Sequence, residues 1–560
     1  MTSPPLVLML LVIFAAVPCS GLQITEFCPD TYLADDVDEY VVLSGAGPLD
    51  GVVVSDGEGG FRFPPGASIN GEMIIAAHGT DYQTVHGTPP RYEWYDTSPV
   101  IEDVIRSGTL KLANKEDQLY LYEDGNRLLQ SVSWPGEVTP REGQVHFFEG
   151  VWDPRVLMLG QSRYGVATYE GVSGTLFAAP DSSFSVFSDC VNSASSRILV
   201  NVYEFTSPEM AALLCDARTR GVEVEVLLEG GPVGGISPEE NAVISTLIRS
   251  GIPVYRMSGE GKAHPPYRFD HAKYMVVDDT RVFVTSENFK DHGFPFPLTR
   301  GNRGWGAVLE STELAEYYSA VYYHDSGGAW AEPLSAQDPG VSADPGNRPP
   351  YTLEFPPFHF ESAKVTTVIS PDTSMQIPVL LRSAEEQIDI EQAYITDKSP
   401  DQPNPFLAEA INASRRGVRV RVILDSSWFN VEEDTDNNEM VAYINRVARE
   451  ESIPLEARLA DLEDNNLLQV HNKGVIVDNR KVLISSINWN ENSPTFNREA
   501  GVIIEHPGVG EYFSGVFEDD WRGGHTEQGA TGGPDYLKIG LAFAVIAVLA
   551  VVFMLRRRRL

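Results

Sequence analysis

The sequence predicts a multidomain chain: an all-β sandwich, then a layered α/β unit present twice, then a C-terminal transmembrane helix. Three observations predict it. Short β-type runs separated by turn residues fill the first quarter. Beyond Gly165 strands alternate with helices and whole blocks recur. A continuous apolar run near the end stops at four arginines. At 560 residues the chain is long enough for roughly three to four domains.

The N-terminus runs from Leu6 to Val17 almost without polarity and then meets Ser20 and Gly21. That pattern predicts a secretory signal peptide over 1–21, although no Lys or Arg precedes the run and an uncleaved anchor is the alternative. Either reading takes the body out of the cytosol.

From 22 to 162 the β runs are Glu39 to Leu43, Gly51 to Val54, Glu72 to Ala77, Gln118 to Tyr122 and Leu129 to Ser133. They predict a sandwich. The segment Ile24-Thr25-Glu26-Phe27, the acidic turn through Asp35 and Asp38, Glu39-Tyr40-Val41-Val42-Leu43 and Leu49-Asp50-Gly51 resembles the lamin-tail domain. That resemblance implies an immunoglobulin-like fold and a binding or positioning module without chemistry of its own.

The α/β unit occupies 163–335 and again 359–522. Pro180-Asp181-Ser182-Ser183 recurs as Pro371-Asp372-Thr373-Ser374, and Arg220-Gly221-Val222 through Leu228 recurs as Arg416-Gly417-Val418 through Leu424. Each time a helix runs into a buried strand. The join, 336–358, is rich in proline and glycine and reads as a linker. A second Gly-rich linker, 523–535, leads to the span at 536–555. Within it Ile539 to Leu555 is continuously apolar and reaches about 25 Å as a helix. The tail 556–560 begins with Arg556 to Arg559, which the positive-inside rule assigns to the cytoplasm, leaving the body extracellular.

Composition narrows function. The formal net charge is −37, so the surface repels polyanions unless a local basic patch overrides it. Of the four cysteines, Cys19 falls in the signal peptide, leaving Cys28, Cys190 and Cys215. A Cys190–Cys215 bridge and buried free thiols are both open, and the spacing supports no zinc site.

The chemistry lies in a constellation that appears once per copy. His271, Lys273 and Asp278 are matched by His471, Lys473 and Asp478, each set in an apolar strand-like run. Alternation puts histidine and lysine on one face of such a run, with aspartate farther along. A second β run follows each set and ends in Ser286-Glu287-Asn288 and Ser486-Ile487-Asn488. A phosphodiester needs a nucleophile, an acid for the leaving oxygen and fixed donors for the non-bridging oxygens. The two sets supply all three.

This arrangement, H-x-K with Asp five residues on and Ser-x-Asn downstream, resembles the phospholipase D superfamily over Gly165 to Trp521. The resemblance implies a two-lobed fold with the site at a pseudo-twofold interface, no metal or other cofactor, and a phosphohistidine intermediate. It implies that His271 and His471 are nucleophile and general acid/base, His271 being the favoured nucleophile. Lys273, Lys473, Asn288 and Asn488 would then hold phosphoryl oxygens with support from Ser286 and Ser486, while Asp278 and Asp478 match structural positions.

Two positions depart from the family pattern. The usual glycine before the serine is Thr285 in one copy and Ser485 in the other. Asn497-Arg498-Glu499 aligns with Asn302-Arg303-Gly304, so the acid that orients a histidine is present as Glu499 and missing at Gly304. One histidine is therefore expected to lack its carboxylate. His264 and His292 flank the first motif and read as loop residues rather than metal ligands.

Three functions fit: a membrane-anchored phospholipid hydrolase or headgroup transferase, a secreted nuclease, and a catalytically idle cell-surface binding protein. A nuclease needs a basic channel, for which Lys262, Arg268, Arg300 and Arg303 are the candidates. An idle protein finds its support in Gly304. Two motifs in one chain remove any need for a dimer to complete the site.

Overall fold

The computed structural model describes residues 21–124, 126–259, 263–337, 348–397, 403–431 and 436–523. The signal-peptide and transmembrane readings fall on 1–21 and 536–555, outside the described residues but for residue 21. Among the described residues no helix is long and apolar enough to cross a membrane.

The N-terminal region is two sheets face to face. In the seven-stranded sheet Gln23–Cys28, Tyr40–Pro48 and Ser68–His78 lie side by side, and the five-stranded sheet centres on Asp117–Glu123 and Val53–Ser55. Alternation along the strands turns Val41, Leu43 and Ile75 of the first sheet toward Val54, Leu119 and Leu121 of the second. The β runs do not announce one helix, Gly79–His86, which ends at Gly87 in the left-handed region (φ 76°). Cys28, Cys190 and Cys215 are free thiols, the first two buried.

The rest of the chain builds one 16-stranded sheet from two equivalent lobes. Lobe one contains β1 (Thr168–Ala179), α1 (Ser183–Asn192), β2 (Arg197–Val202), α2 (Pro208–Thr219), β3 (Glu223–Glu229), α3 (Pro238–Arg249) and β4 (Val254–Met257). It continues with β5 (Lys273–Val277), β6 (Arg281–Thr285), β7 (Asn302–Glu310) and α4 (Thr312–Gly327). Lobe two repeats this as β8 (Phe358–Ser370), α5 (Gln376–Arg382), β9 (Gln387–Gln392), α6 (Pro405–Arg415), β10 (Arg419–Leu424), α7 (Asn437–Glu451) and β11 (Leu455–Leu459). It closes with β12 (Lys473–Val477), β13 (Lys481–Ser485), β14 (Glu499–Glu505) and α8 (Pro507–Gly523).

Fourteen of the strands run in the order β4-β3-β2-β5-β6-β7-β1, then β8-β14-β13-β12-β9-β10-β11, while the short strands Ala331–Pro333 and Gln469–Val470 pair with β4 and β7. The second half mirrors the first about the antiparallel β1–β8 junction. The local sequence explains the units. Helices α2, α3 and α6 each start with a Ser or Asn cap followed by proline at the first turn. The glycines of the repeated Arg-Gly-Val blocks, Gly221 (φ 94°) and Gly417 (φ 98°), turn the chain from helix into strand where a β-carbon would be strained. Strands β2 and β12 are buried along their whole length apart from Arg197, half-buried at the start of β2, because helices cover both faces of the sheet.

Part of the join between lobes is packed rather than loose. Asp181 accepts the N–H groups of Glu354 (2.7 Å) and Phe355 (3.0 Å), fastening the chain just before β8 to the start of α1.

Candidate active site

Strands β2 and β3 run antiparallel to β5, so their C-terminal ends and the start of β5 meet at one end of the sheet. His271 stands two residues before β5, and His471 two before β12. Each histidine is tied to the opposite lobe by its own backbone. The His271 N–H donates to Arg498 O (2.8 Å), and the His471 N–H to Arg303 O (2.9 Å).

The side chains are tied across the interface as well. His271 Nδ1 lies 2.8 Å from Glu499 Oε2. His471 Nδ1 lies 3.2 Å from Glu287 Oε1. The expectation that Gly304 leaves a histidine without its acid is thus corrected: Glu287, the middle residue of Ser286-Glu287-Asn288, provides it. A β-carbon on Gly304 would stand 2.5 Å from Glu287 Oε1 and 2.6 Å from its Cγ. Glycine there makes the room that Glu287 fills.

The acid has moved one strand over, and the sequence carries the trace. Lobe one has Glu287 and Gly304 where lobe two has Ile487 and Glu499. The supporting amide is shared: Asn302 Nδ2 donates to Glu287 (3.2 Å) and Asn497 Nδ2 to Glu499 (3.1 Å). Thr285 and Ser485, which stand where the family has glycine, shape these turns. Their hydroxyls accept the N–H of Glu287 (3.2 Å) and of Ile487 (3.3 Å).

Lys273 and Lys473 are buried, and each ammonium donates to the carbonyl of its own histidine, at 2.8 and 2.6 Å. The Tyr203 ring packs edge-on to His271, centroids 4.7 Å apart, and lies 5.2 Å from the Lys273 ammonium. Asn288 Nδ2 donates to Glu204 (3.1 Å). The buried Oδ1 atoms of Asn288 and Asn488 have no hydrogen-bond partner among the described residues. Ser286 and Ser486 turn into the sheet, their Oγ atoms accepting the N–H of Trp305 (3.1 Å) and Ala500 (3.0 Å). They fix the strand ends from which the asparagines project.

Asp278 and Asp478 lie at the other ends of β5 and β12. Each opens a two-residue turn with both central residues at positive φ, 54° and 55° for Asp278-Asp279 and 52° and 49° for Asp478-Asn479. Asp278 Oδ1 accepts N–H groups from Ser195 (3.0 Å), Ser196 (2.7 Å) and Arg197 (3.2 Å); Asp478 does the same for 385–387. The structure does not bring these two aspartates to the histidines.

Burial dominates the electrostatics. It lowers both histidines to about 4, against the pull of Glu499 and Glu287 and reinforced by both lysines. Burial likewise lowers Lys273 to about 7 and Lys473 to about 8, although nearby glutamates pull upward. Burial would raise Glu287, but His471 and Lys473 outweigh it and hold the carboxyl below its usual range. At neutral pH each imidazole is therefore neutral, with Nδ1–H directed at a carboxylate and Nε2 carrying the free lone pair.

The arginines beside the site hold the lobes together. Arg303 pairs with Asp181 (3.0 Å) and, across the interface, with Asp520 of α8 (2.7 Å). Arg498 pairs with Asp372 (3.0 Å) and with Asp325 of α4 (2.7 Å). All six side chains are fully buried. Arg303 is therefore not a surface cation for nucleic acid, as the basic-channel reading needed. Arg300 donates to the Leu467 and Leu462 carbonyls, Arg268 to Asn492, and Lys262 lies outside the described residues.

His264 stacks on Tyr32 of the sandwich, centroids 3.7 Å apart, and Arg141 covers Phe496. The sandwich thus packs on the loop before His271 and the loop after Asn488. Among the described residues the carboxylates close enough to share a cation are Glu93, Asp96 and Asp103 in that sandwich, and Glu93 already accepts the N–H groups of Gly79 and Ser98.

The family model described as cardiolipin synthase, PLD-like domain, matches residues 187–325 and 377–521, one segment in each lobe. The chain belongs to this phospholipase D-like family. Among solved structures it is similar to phosphatidylserine synthase from Haemophilus influenzae Rd KW20, at 14% identity over 67% of this chain and 94% of that one, TM-score 0.48. It is also similar to Nuc, a phospholipase D family member from Salmonella typhimurium (20% identity, 30% of this chain and 99% of that one, TM-score 0.25). NucT from Helicobacter pylori matches at 16% identity over 29% and 98%, TM-score 0.24. No curated protein sequence matches the chain.

Proposed function

We propose that the protein is a membrane-anchored, extracellular phosphodiesterase that cleaves or transfers phospholipid headgroups through a phosphohistidine. The observation that carries this reading is the reciprocal pairing of His271 with Glu499 and His471 with Glu287. Each carboxylate fixes a tautomer and presents Nε2 to the shared cleft.

In the first step Nε2 of His271 attacks phosphorus. A P–N bond forms, the bond to the leaving oxygen breaks, and His471 delivers a proton from Nε2 to that oxygen. The entering phosphodiester anion favours the cationic form of His471 that this step needs. In the second step neutral His471 takes a proton from water or an alcohol, whose oxygen attacks phosphorus and breaks the P–N bond. Lys273, Lys473 and the two asparagines hold the non-bridging oxygens while charge builds on them.

Phospholipid is preferred over nucleic acid because the chain carries a net charge of −37 and Arg303 is committed to internal pairs. The apolar run Ile539 to Leu555 would hold the enzyme beside its substrate. Glu287 removes the sequence argument for an idle scaffold. We read the sandwich as a module that positions the loops it packs against.

The test incubates the full chain, reconstituted with lipid, with phospholipid vesicles or with single-stranded DNA, both with chelator, beside His271→Ala and His471→Ala. Cleavage of lipid alone, lost in both variants, is expected. DNA cleavage lost in both variants moves the substrate class to nucleic acid, and no cleavage of either overturns the proposal.

A further inference from the structure

Two equivalent loops lie beside the two histidines, and both carry exposed apolar side chains. The first follows β3. Glu229 accepts the Asp270 N–H (2.5 Å), next to His271, and also the Gly231 N–H (2.7 Å), which pins the loop that carries Val233. The Val233 N–H donates to the hydroxyl of Tyr203 (2.7 Å), the ring packed on His271. The second loop follows β10. Asp425 accepts the Val470 N–H (2.7 Å), next to His471, and also the Ser427 N–H (3.1 Å), which pins the loop that carries Trp428 and Phe429.

The exposure is large: 80% for Val233, 69% for Trp428 and 49% for Phe429. A surface Trp-Phe pair held in an ordered turn loses free energy to water, and tryptophan favours the headgroup level of a bilayer.

The chain leaves the fold on the same side. Helix α8 runs to Gly523 at the catalytic end of the sheet, where Asn465 Nδ2 donates to Asp520 O (3.4 Å) and Arg458 donates to Trp521 O (3.0 Å). Asn465 belongs to the segment leading from β11 to His471. Ser426, in the loop of Trp428, donates to Ala460 at the start of that segment (2.7 Å). In the sequence the linker 523–535 joins this end of α8 to the apolar run that begins at Ile539. The end of α8 and the Trp428 loop therefore flank one segment. The net charge of −37 disfavours adsorption on anionic lipid, so apolar insertion is the mode that fits.

We propose that Val233, Trp428 and Phe429 form a rim that dips into the bilayer holding the chain's own anchor and seats the cleft on phospholipids of that bilayer. This rests on the membrane-anchored phospholipid reading above.

The test reconstitutes the full chain and Trp428→Phe into phosphatidylcholine nanodiscs with plain or brominated acyl chains. The wild-type minus Trp428→Phe difference emission isolates one of eight tryptophans. Loss of that emission in brominated lipid is the expected result; equal emission in both lipids overturns the rim. A Trp428→Ser/Phe429→Ser variant should lose about tenfold in cleavage of vesicle phosphatidylcholine and keep its rate on monomeric dihexanoyl phosphatidylcholine. An equal loss on both substrates also overturns it. Quenching is read without turnover, so quenching without lipid cleavage removes the enzyme reading alone, and cleavage without quenching removes the rim alone.

Discussion

Glu287 Oε1 lies 3.2 Å from His471 Nδ1, across the lobe interface, in the space that the missing side chain of Gly304 leaves open. Glu287→Gln is expected to lower kcat by about a hundredfold or more on a chromogenic phosphodiester, because a histidine without its orienting acid loses its tautomer. Gly304→Ala should do similar damage by displacing Glu287. The double variant Glu287→Ile/Gly304→Glu rebuilds the arrangement of lobe two and should recover activity relative to Glu287→Ile. A double variant no better than the single one would show that the position of the acid matters beyond its charge.

The lysines set the alkaline limit. With Lys273 lowered to about 7 and Lys473 to about 8, rising pH through that window removes the cations that bind the phosphoryl anion. The pH profile of kcat/KM should therefore fall as pH rises through about 7 to 8, where first Lys273 and then Lys473 loses its proton. Stability has the opposite sign. The unfolded lysines keep their protons up to about 10.4 and so bind more protons than the folded ones, which makes stability rise with pH between those values. Chemical denaturation at pH 7 and 9, set beside the rate profile, checks both signs.

Asp278→Ala should separate fold from chemistry. Burial raises its pKa, but the N–H groups of Ser196 and Ser195 outweigh that and bring it to about 2. Its stabilisation is present above the unfolded value and lost as pH falls through about 2. The variant is expected to lose about 3 kcal/mol at neutral pH with kcat of the folded fraction unchanged. A large fall in kcat at full stability would place Asp278 in the reaction.

Asp325→Ala leaves Arg498 short of its cross-lobe partner in a fully buried site. A cost of about 3–5 kcal/mol is expected in denaturant unfolding. Because Arg498 O also accepts the His271 N–H, kcat should fall as well, and by more than in a surface control such as Glu451→Ala.

The duplicated motifs were legible because they are local. Histidine, lysine and the Ser-x-Asn turn lie on consecutive strands, so spacing alone aligned the two copies. Glu287 was not read as an acid for His471, because it belongs to one lobe and serves the other. The clue was the paired exchange of Glu287 and Gly304 for Ile487 and Glu499, and an exchange between neighbouring strands becomes visible only once strand order is known. Arg303 was misplaced for the same reason: sequence offers a charge, and burial depends on partners more than a hundred positions away, Asp181 and Asp520.

By itself the sequence determined the sandwich, the doubled α/β unit, and the histidines and lysines of the site, since hydrophobic period, turn chemistry and repetition are properties of contiguous residues. Only the tertiary structure decided which acid serves which histidine, which arginines are internal, and that the apolar loops and the exit of the chain share one face. Each of these depends on distances between segments far apart in the chain, and such distances are set by how the two lobes pack.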